Sequence, residues 1–93
     1  MNEKFIEKKL AEAVKARGGL APKFVSPSYA GMPDRLVLLP KGVFAFVELK
    51  APGKKPRVLQ TARHEMLRRL GFKVYVIDGT EQIGETLDEL QTP

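Results

Sequence analysis

The stretch GMPDRLVLLPKGVFAFVELK, residues 31 to 50, decides the fold of this 93-residue chain. It contains two predominantly apolar runs, 34 to 39 and 43 to 50, separated by Pro, Lys and Gly at 40 to 42. Two such runs joined by three turn-forming residues are typical of a β-hairpin. The sequence therefore predicts two adjacent antiparallel strands in the middle of the chain.

The hairpin brings two acids and a lysine onto one face. With Leu39 opposite Val43, counting back along both strands places Asp34 opposite Glu48, and Lys50 follows two residues later. Opposed side chains start about 4.5 to 5.5 Å apart, where two like charges require a compensating cation. Hard carboxylate oxygens suit Mg²⁺ or Mn²⁺, and such an ion activates water for phosphodiester hydrolysis. The sequence therefore predicts a metal site held by Asp34 and Glu48, where Lys50 orients water or neutralises transition-state charge.

These residues also have a simpler interpretation. Asp34 is then a turn acid, and Glu48 pairs with Lys50 on a solvated strand. However, Glu48 and Lys50 continue the face begun by Phe44 and Phe46, and charged groups beside aromatic rings are costly to bury. That cost favours a functional site.

The segments around the hairpin predict three helices and one further strand. Residues 3 to 17 and 57 to 70 carry apolar residues at helical spacing, and residues 73 to 77 form another strand followed by a last helix. Residues 23 to 26 are a candidate for a short extra strand. On the first helix the residues that recur at helical spacing are Ile6, Leu10, Ala13, Val14 and Arg17. The expected core line of the second helix is Leu59, Ala62, Met66 and Leu70, and the last helix is expected to bury Ile83, Leu87 and Leu90.

The element order αββ(β)αβα predicts an α/β fold in one domain, residues 1 to 93. The hairpin gives an antiparallel pair of strands. The following helix, 57 to 70, crosses over to a strand that we expect to be parallel to its neighbour. The sequence therefore predicts a mixed β-sheet flanked by helices.

The charge distribution points to a polyanionic partner. The chain carries +5 overall, but five of its eleven acids follow residue 77, where no Lys or Arg occurs. Residues 1 to 77 contain sixteen basic and six acidic residues, a net +10. Such a charge favours nucleic acid, although a basic surface can also serve solubility alone.

Other features of the composition bear on location. The absence of cysteine excludes a disulfide framework, a zinc ribbon and a thiol nucleophile, and indicates a reducing compartment. The N-terminus is charged, and no apolar run approaches the roughly 20 residues that cross a bilayer. We therefore expect a cytoplasmic protein without a membrane partner.

Several basic and aromatic side chains are candidates for DNA contacts. A basic cluster directly after the proposed site is suited to backbone phosphates, and a polar stripe on the following helix could hold more of them. A tyrosine in the loop before the site could stack on an unpaired base, or could simply pack. The stripe could equally be the solvated side of an amphipathic helix. The predicted DNA contacts are Lys54, Lys55, Arg57, His64, Arg68, Arg35 and Tyr29.

Several motifs together resemble one nuclease family. They are Glu7 in the first helix, then GMPDR at 31 to 35, VELK at 47 to 50, and Gln60 opening the next helix. This order is similar to that of the VRR-NUC family of the PD-(D/E)xK nuclease superfamily, particularly its short phage and bacterial members. Glu7 lies at the edge of the inward face of its helix, and without the resemblance it could be an ordinary surface acid.

The resemblance implies a restriction-endonuclease-like core and a Mg²⁺- or Mn²⁺-dependent, structure-specific DNA endonuclease. Its stand-alone members are similar to Holliday junction resolvases and act as homodimers. By position, Asp34 and Glu48 match the metal ligands and Glu7 the acid that assists them. Lys50 matches the catalytic lysine, and Gln60 matches the helix glutamine at the site.

Two other functions are compatible with the charge pattern. A non-catalytic nucleic-acid-binding module would use the basic residues and keep the acids for structure, although a binder gains nothing from carboxylates aimed at phosphates. A protein-interaction adaptor would use the acidic last helix, residues 80 to 93. A stability change on adding Mn²⁺ distinguishes the nuclease from the binder.

Overall fold

A computed structural model describes all 93 residues. Its elements are α1 (Glu3–Ala16), β1 (Arg35–Leu39), β2 (Val43–Leu49), α2 (Val58–Arg69), β3 (Val74–Ile77) and α3 (Glu81–Gln91). The order αββαβα confirms the predicted α/β class with a mixed sheet and flanking helices. None of the three helices has the length and apolar character needed to cross a membrane.

The sheet has the order β1-β2-β3, with β2 in the middle. β1 and β2 are antiparallel, and Leu39 pairs with Val43 as predicted. Arg35 pairs with Val47, so the next position back along β1, Asp34, faces Glu48. β3 pairs in parallel with β2 after the chain crosses through α2. The predicted register is therefore confirmed.

Residues along β2 alternate between two apolar clusters, as the pleat of a strand requires. Ala45, Val47 and Leu49 face a buried core built with α1 and α3. Phe44 and Phe46 face the other side, where Phe46 packs with side chains of α2. The rings of Phe44 and Phe46 meet edge to face with centroids 4.9 Å apart. Even-numbered side chains of β2 therefore point towards α2.

The outer helices bury the stripes expected from the sequence. The buried residues are Ile6, Leu10 and Val14 on α1, and Ile83, Leu87 and Leu90 on α3. Both stripes join the same core against one face of the sheet. The Asn2 side chain caps α1 by accepting a hydrogen bond from the Phe5 N–H at 2.9 Å.

The predicted buried face of α2 is wrong. Leu59 and Leu70 are 46% and 67% exposed, whereas His64 and Leu67 are buried. The helix is therefore rolled by roughly one residue, about 100°, from the orientation that its apolar spacing predicts. The reason is that α2 packs on a sheet face that carries Glu48, so the helix turns polar residues inward to meet it.

The candidate strand at 23 to 26 does not form. The chain instead runs beside β1 and makes isolated bridges from Leu20 to Leu38 and from Lys23 to Arg35. Pro22 lies between these bridges and has no N–H to donate, although its carbonyl accepts from the Leu36 N–H at 3.1 Å. This segment covers the outer edge of β1 without extending the sheet.

The loop before β1 is held against α2 at Gly31. Gly31 has φ +87°, and a Cβ at this position would lie 2.9 Å from side-chain carbons of both Leu59 and Arg63. The Arg63 Nε also donates to the Ala30 carbonyl at 2.8 Å. Only glycine meets both the backbone conformation and the close approach. The loop leads directly into Asp34, so its path bears on the site.

Gly31→Ala should lower the free energy of unfolding by about 2 to 4 kcal/mol, because it combines left-handed backbone strain with overpacking against α2. Gly42→Ala is the matched control. Gly42 has φ +74°, but open space surrounds the Cβ position, so we expect a loss of only about 1 kcal/mol. Urea titration of both variants measures the difference, and equal losses would contradict the close-approach argument.

Candidate active site

Asp34 stands at the entrance to β1, directly after the buried Pro33. Its Oδ1 accepts a hydrogen bond from the Leu49 N–H at 3.1 Å, which ties this carboxylate to the neighbouring strand. Burial raises the pKa of Asp34, and the Leu49 hydrogen bond partly opposes that shift. The carboxylate is half-buried and anchored through one oxygen.

Glu48 is the most deeply placed acid of the site, with 2% of the residue exposed. Its Oε2 accepts a hydrogen bond from the Gln60 Nε2 at 3.1 Å and lies 3.6 Å from the Lys50 Nζ. Its Oε1 is buried, has no hydrogen-bond partner and lies 3.6 Å from the His64 Nε2. The site therefore brings together three of the predicted residues, Glu48, Lys50 and Gln60, and leaves one carboxylate oxygen unsatisfied.

The charge of Asp34 disfavours ionisation of Glu48. Burial and, after it, the negative charge of Asp34 raise the pKa of Glu48 to about 7, although the charge and hydrogen bond of Lys50 act in the opposite direction. Glu48 therefore keeps a raised pKa although Lys50 lies beside it.

Gln60 connects the start of α2 to the site. Its Oε1 accepts a hydrogen bond from the Arg57 N–H at 2.8 Å, at the position where α2 begins. Its Nε2 donates to Glu48, so one amide both caps the helix and holds the acid. These two bonds fix which way the amide points, because only its nitrogen can donate to the carboxylate.

Mg²⁺ or Mn²⁺ fits the donor atoms present. Asp34 and Glu48, opposed on neighbouring strands, offer the hard carboxylate oxygens that both ions prefer. No group of three or more His, Cys, Asp or Glu side chains is arranged to hold a metal ion. The two opposed carboxylates are therefore the protein ligands that this structure offers, and an ion with open positions for water and phosphate suits them.

The structure does not bring Glu7 to Glu48. Glu7 pairs with the guanidinium of Arg35, and its Oε1 lies 3.9 Å from the Lys23 Nζ. Arg35 lies on the opposite face of β1 from the Asp34 side chain, because neighbouring residues of a strand alternate. Glu7 and Asp34 line one pocket of about 230 Å³. Asp34 therefore lies beside Glu7 as well as opposite Glu48. The role of Glu7 as a metal ligand stays a prediction.

Two of the predicted DNA contacts are buried. Arg35 is 7% exposed, pairs with Glu7 and donates to the Ala21 carbonyl at 2.8 Å. His64 is 2% exposed beneath Glu48, and burial lowers its pKa. Neither side chain presents a charge to a surface phosphate, so this part of the prediction is corrected. Helical spacing put His64 on a polar stripe, but it did not show that the stripe faces the sheet.

The other predicted DNA contacts lie at the surface. Lys54, Lys55 and Arg57 are exposed in the connection between β2 and α2, directly after Lys50. Arg68 is also exposed, although its Nη2 donates to the Val74 carbonyl at 2.8 Å. The exposed basic residues of the connection therefore follow the site directly along the chain.

Tyr29 is half-exposed and packs under a basic side chain. Its ring centroid lies 4.1 Å from the Cζ of Arg63, and its hydroxyl donates to the Met66 Sδ at 3.4 Å. Arg63 was not predicted as a site residue, yet it braces the loop that carries Tyr29 and leads to Asp34. No signal in the sequence marks this contact, because it depends on how α2 is rolled against the sheet.

Glu3 is a further acid that the sequence prediction missed. It lies in the first turn of α1, and its charge raises the pKa of both Asp34 and Glu48. It precedes Glu7 by four residues, so the two acids share one side of the helix. That spacing was a signal in the sequence.

Opposed carboxylates, an adjacent lysine and a helix glutamine on a small mixed sheet match the site that the resemblance to PD-(D/E)xK nucleases implies. No family model matches the chain. A solved structure described as "VRR_NUC domain" superposes with a TM-score of 0.85 and 36% identity, covering 92% of this chain and 94% of that one. "Putative nuclease p44" of Acyrthosiphon pisum secondary endosymbiont phage 1 is 49% identical over 81 residues, 87% of each protein. The chain belongs to the VRR-NUC family of nucleases.

Glu48→Gln should stabilise the metal-free protein at pH 8 far more than at pH 4.5. The folded-state pKa of Glu48, about 7, exceeds its ordinary value of 4.5, so the folded state binds this proton more tightly than the unfolded state. The cost of ionising Glu48 is absent below pH 4.5, grows between pH 4.5 and 7, and is complete above pH 7. We expect a difference of about 2 to 3 kcal/mol between the two pH values.

Urea titration of the wild-type protein and of Glu48→Gln, in EDTA at pH 4.5 and pH 8, measures how much the substitution stabilises the fold at each pH. An equal effect of the substitution at the two pH values would contradict the raised pKa.

Proposed function

We propose that this protein is a divalent-metal-dependent endonuclease that cuts branched DNA such as Holliday junctions. The observation that carries the proposal is the pair Asp34 and Glu48, opposed on neighbouring strands with Lys50 beside Glu48. The pKa of Glu48 is raised to about 7 by burial and by the charge of Asp34, even with Lys50 beside it. A bound Mg²⁺ or Mn²⁺ would supply a compensating positive charge, polarise a phosphate oxygen and lower the pKa of a bound water.

Each side chain of the site has a distinct task in this proposal. Asp34 and Glu48 hold the ion, and Gln60 keeps the Glu48 carboxylate in place. The Lys50 ammonium, partly exposed at 17% of its side chain, can reach a phosphate oxygen or a water beside the pair. There it stabilises the negative charge that develops on the phosphate. Glu7 would assist from the pocket that it shares with Asp34.

The substrate is proposed to be DNA held through its backbone. Lys54 and Lys55 extend from the site in an exposed connection, where they can contact phosphates without reading sequence. The high positive charge of residues 1 to 77 supports a polyanionic substrate. Recognition of shape rather than sequence suits a nuclease that acts on junctions.

Asp34→Asn and Lys50→Met should each lower Mg²⁺-dependent cleavage of a labelled four-way junction by at least about 100-fold. Asn keeps an oxygen that can accept from the Leu49 N–H, so the fold is preserved. Junction binding, measured by gel shift in Ca²⁺, should persist in both variants. Glu12→Gln, an exposed acid of α1 paired only with Lys9, is the control and should cleave like the wild type.

Loss of junction binding in a folded Asp34→Asn variant would contradict the assigned role of Asp34. Mn²⁺ should raise the melting temperature of the wild-type protein but not that of Asp34→Asn. No metal-dependent shift and no cleavage would instead favour a non-catalytic nucleic-acid-binding module. Flap and plain duplex substrates, tested in parallel with Mg²⁺, Mn²⁺ or EDTA, measure the preference for branched DNA.

The proposal includes a homodimer, because a two-fold protein can match the two-fold symmetry of a junction and place one site on each strand. A chain of this size has a thin core, so association would also bury further apolar surface. Light scattering after gel filtration at micromolar concentration should give twice the 10.4 kDa of one chain. A single-chain mass would contradict the dimer and leave the site assignments intact.

A further inference from the structure

His64 is the only histidine of the chain, and the tasks described above do not use it. It lies on α2 with 2% of the residue exposed. Its Nε2 is buried and has no hydrogen-bond partner. The Oε1 of Glu48, which is also buried and unsatisfied, lies 3.6 Å from this nitrogen.

The two unsatisfied atoms face each other. They are 3.6 Å apart, whereas an N–H···O hydrogen bond spans about 2.9 to 3.0 Å. Buried polar atoms in folded proteins are nearly always paired, so two such atoms at this separation indicate a contact that closes by a small movement. The other oxygen of Glu48 already has Gln60 and Lys50 as neighbours.

Gln60 and His64 approach the same carboxylate from one helix. They are four residues apart on α2, so they lie on the same side of the helix and one turn apart. Gln60 donates to Oε2, and His64 faces Oε1. The observed orientation of α2 differs from the one that its apolar spacing predicts. It is the orientation that presents both Gln60 and His64 to Glu48.

We propose that His64 is a positioning residue that holds Oε1 of Glu48 through its Nε2–H, so that α2 grips both oxygens of this ligand. The inference rests on the proposed function, in which Glu48 binds a divalent ion. Hydrogen bonds to the ligands of a metal fix their orientation, and their loss typically weakens metal binding by about 10- to 100-fold. His64 thus acts through Glu48 and has no contact with DNA.

A pair of substitutions separates a hydrogen-bonding role from a packing role. His64→Leu keeps an apolar side chain of moderate size but has no donor, whereas the amide nitrogen of His64→Gln reaches about as far as Nε2. Titration calorimetry with Mn²⁺ alone, without DNA, should show an affinity at least about 10-fold weaker for His64→Leu. For His64→Gln the affinity should stay within about threefold of the wild type. Melting temperatures in EDTA confirm that both variants are folded.

A measurement on the wild-type protein adds a test that needs neither substitution nor metal. Because the chain has one histidine, a long-range ¹H–¹⁵N spectrum of the imidazole contains a single ring system. The proposal requires a proton on Nε2, as in the Nε2–H tautomer or the doubly protonated ring. A neutral ring with its proton on Nδ1 would overturn it, because a lone pair would then face the carboxylate.

The remaining outcomes are also decisive. Wild-type affinity for Mn²⁺ in His64→Leu, or equal weakening in both variants, would overturn the role of His64 while leaving the metal site in place. Failure of the wild-type protein to bind Mn²⁺ would instead remove the proposed function, and the inference with it.

Discussion

The antiparallel register of β1 and β2 is the constraint on which the site depends. It sets Asp34 against Glu48 and points both towards α2, and a slip of one residue would reverse the faces of one strand. Packing on both sides resists such a slip. Val47 would leave a buried core, and Phe46 would leave its aromatic neighbours. The apolar alternation of β2 therefore holds two acids together although their charges repel.

Helix α2 accommodates the acid that the sheet presents. A helix turned by its apolar residues alone would bury Leu59 and leave Glu48 facing hydrocarbon, at a large cost in desolvation. The observed helix instead offers Gln60 and His64 to the acid and leaves Leu59 half-exposed. The loop at Gly31 packs on Leu59, so the roll of α2 also sets the path of the chain into Asp34.

The sheet divides the charged residues into two groups. Glu48, Lys50 and Gln60 lie on the side of α2, whereas Glu7 and Arg35 meet on the side of α1. Asp34 is at the end of β1, where the sheet no longer separates the faces, and it adjoins both groups. This position explains how a helix acid from one layer can serve a site on the other, as the proposed function requires.

The sequence by itself determined the helices α1 and α3, the hairpin, its register and the shared face of Glu48 and Lys50. These features follow from residue periodicity and from a three-residue turn, which are local. The order of acids, lysine and glutamine also sufficed to identify the family.

Only the tertiary structure decided the roll of α2, the burial of His64 and Arg35, and the separation of Glu7 from Glu48. Each depends on which groups meet across layers: a helix turns to satisfy a buried carboxylate, and an arginine is buried where an acid from another helix can pair with it. The residue spacing within one helix or strand does not show which polar group of another element it will meet. These features could not be predicted because they depend on long-range contacts between polar groups.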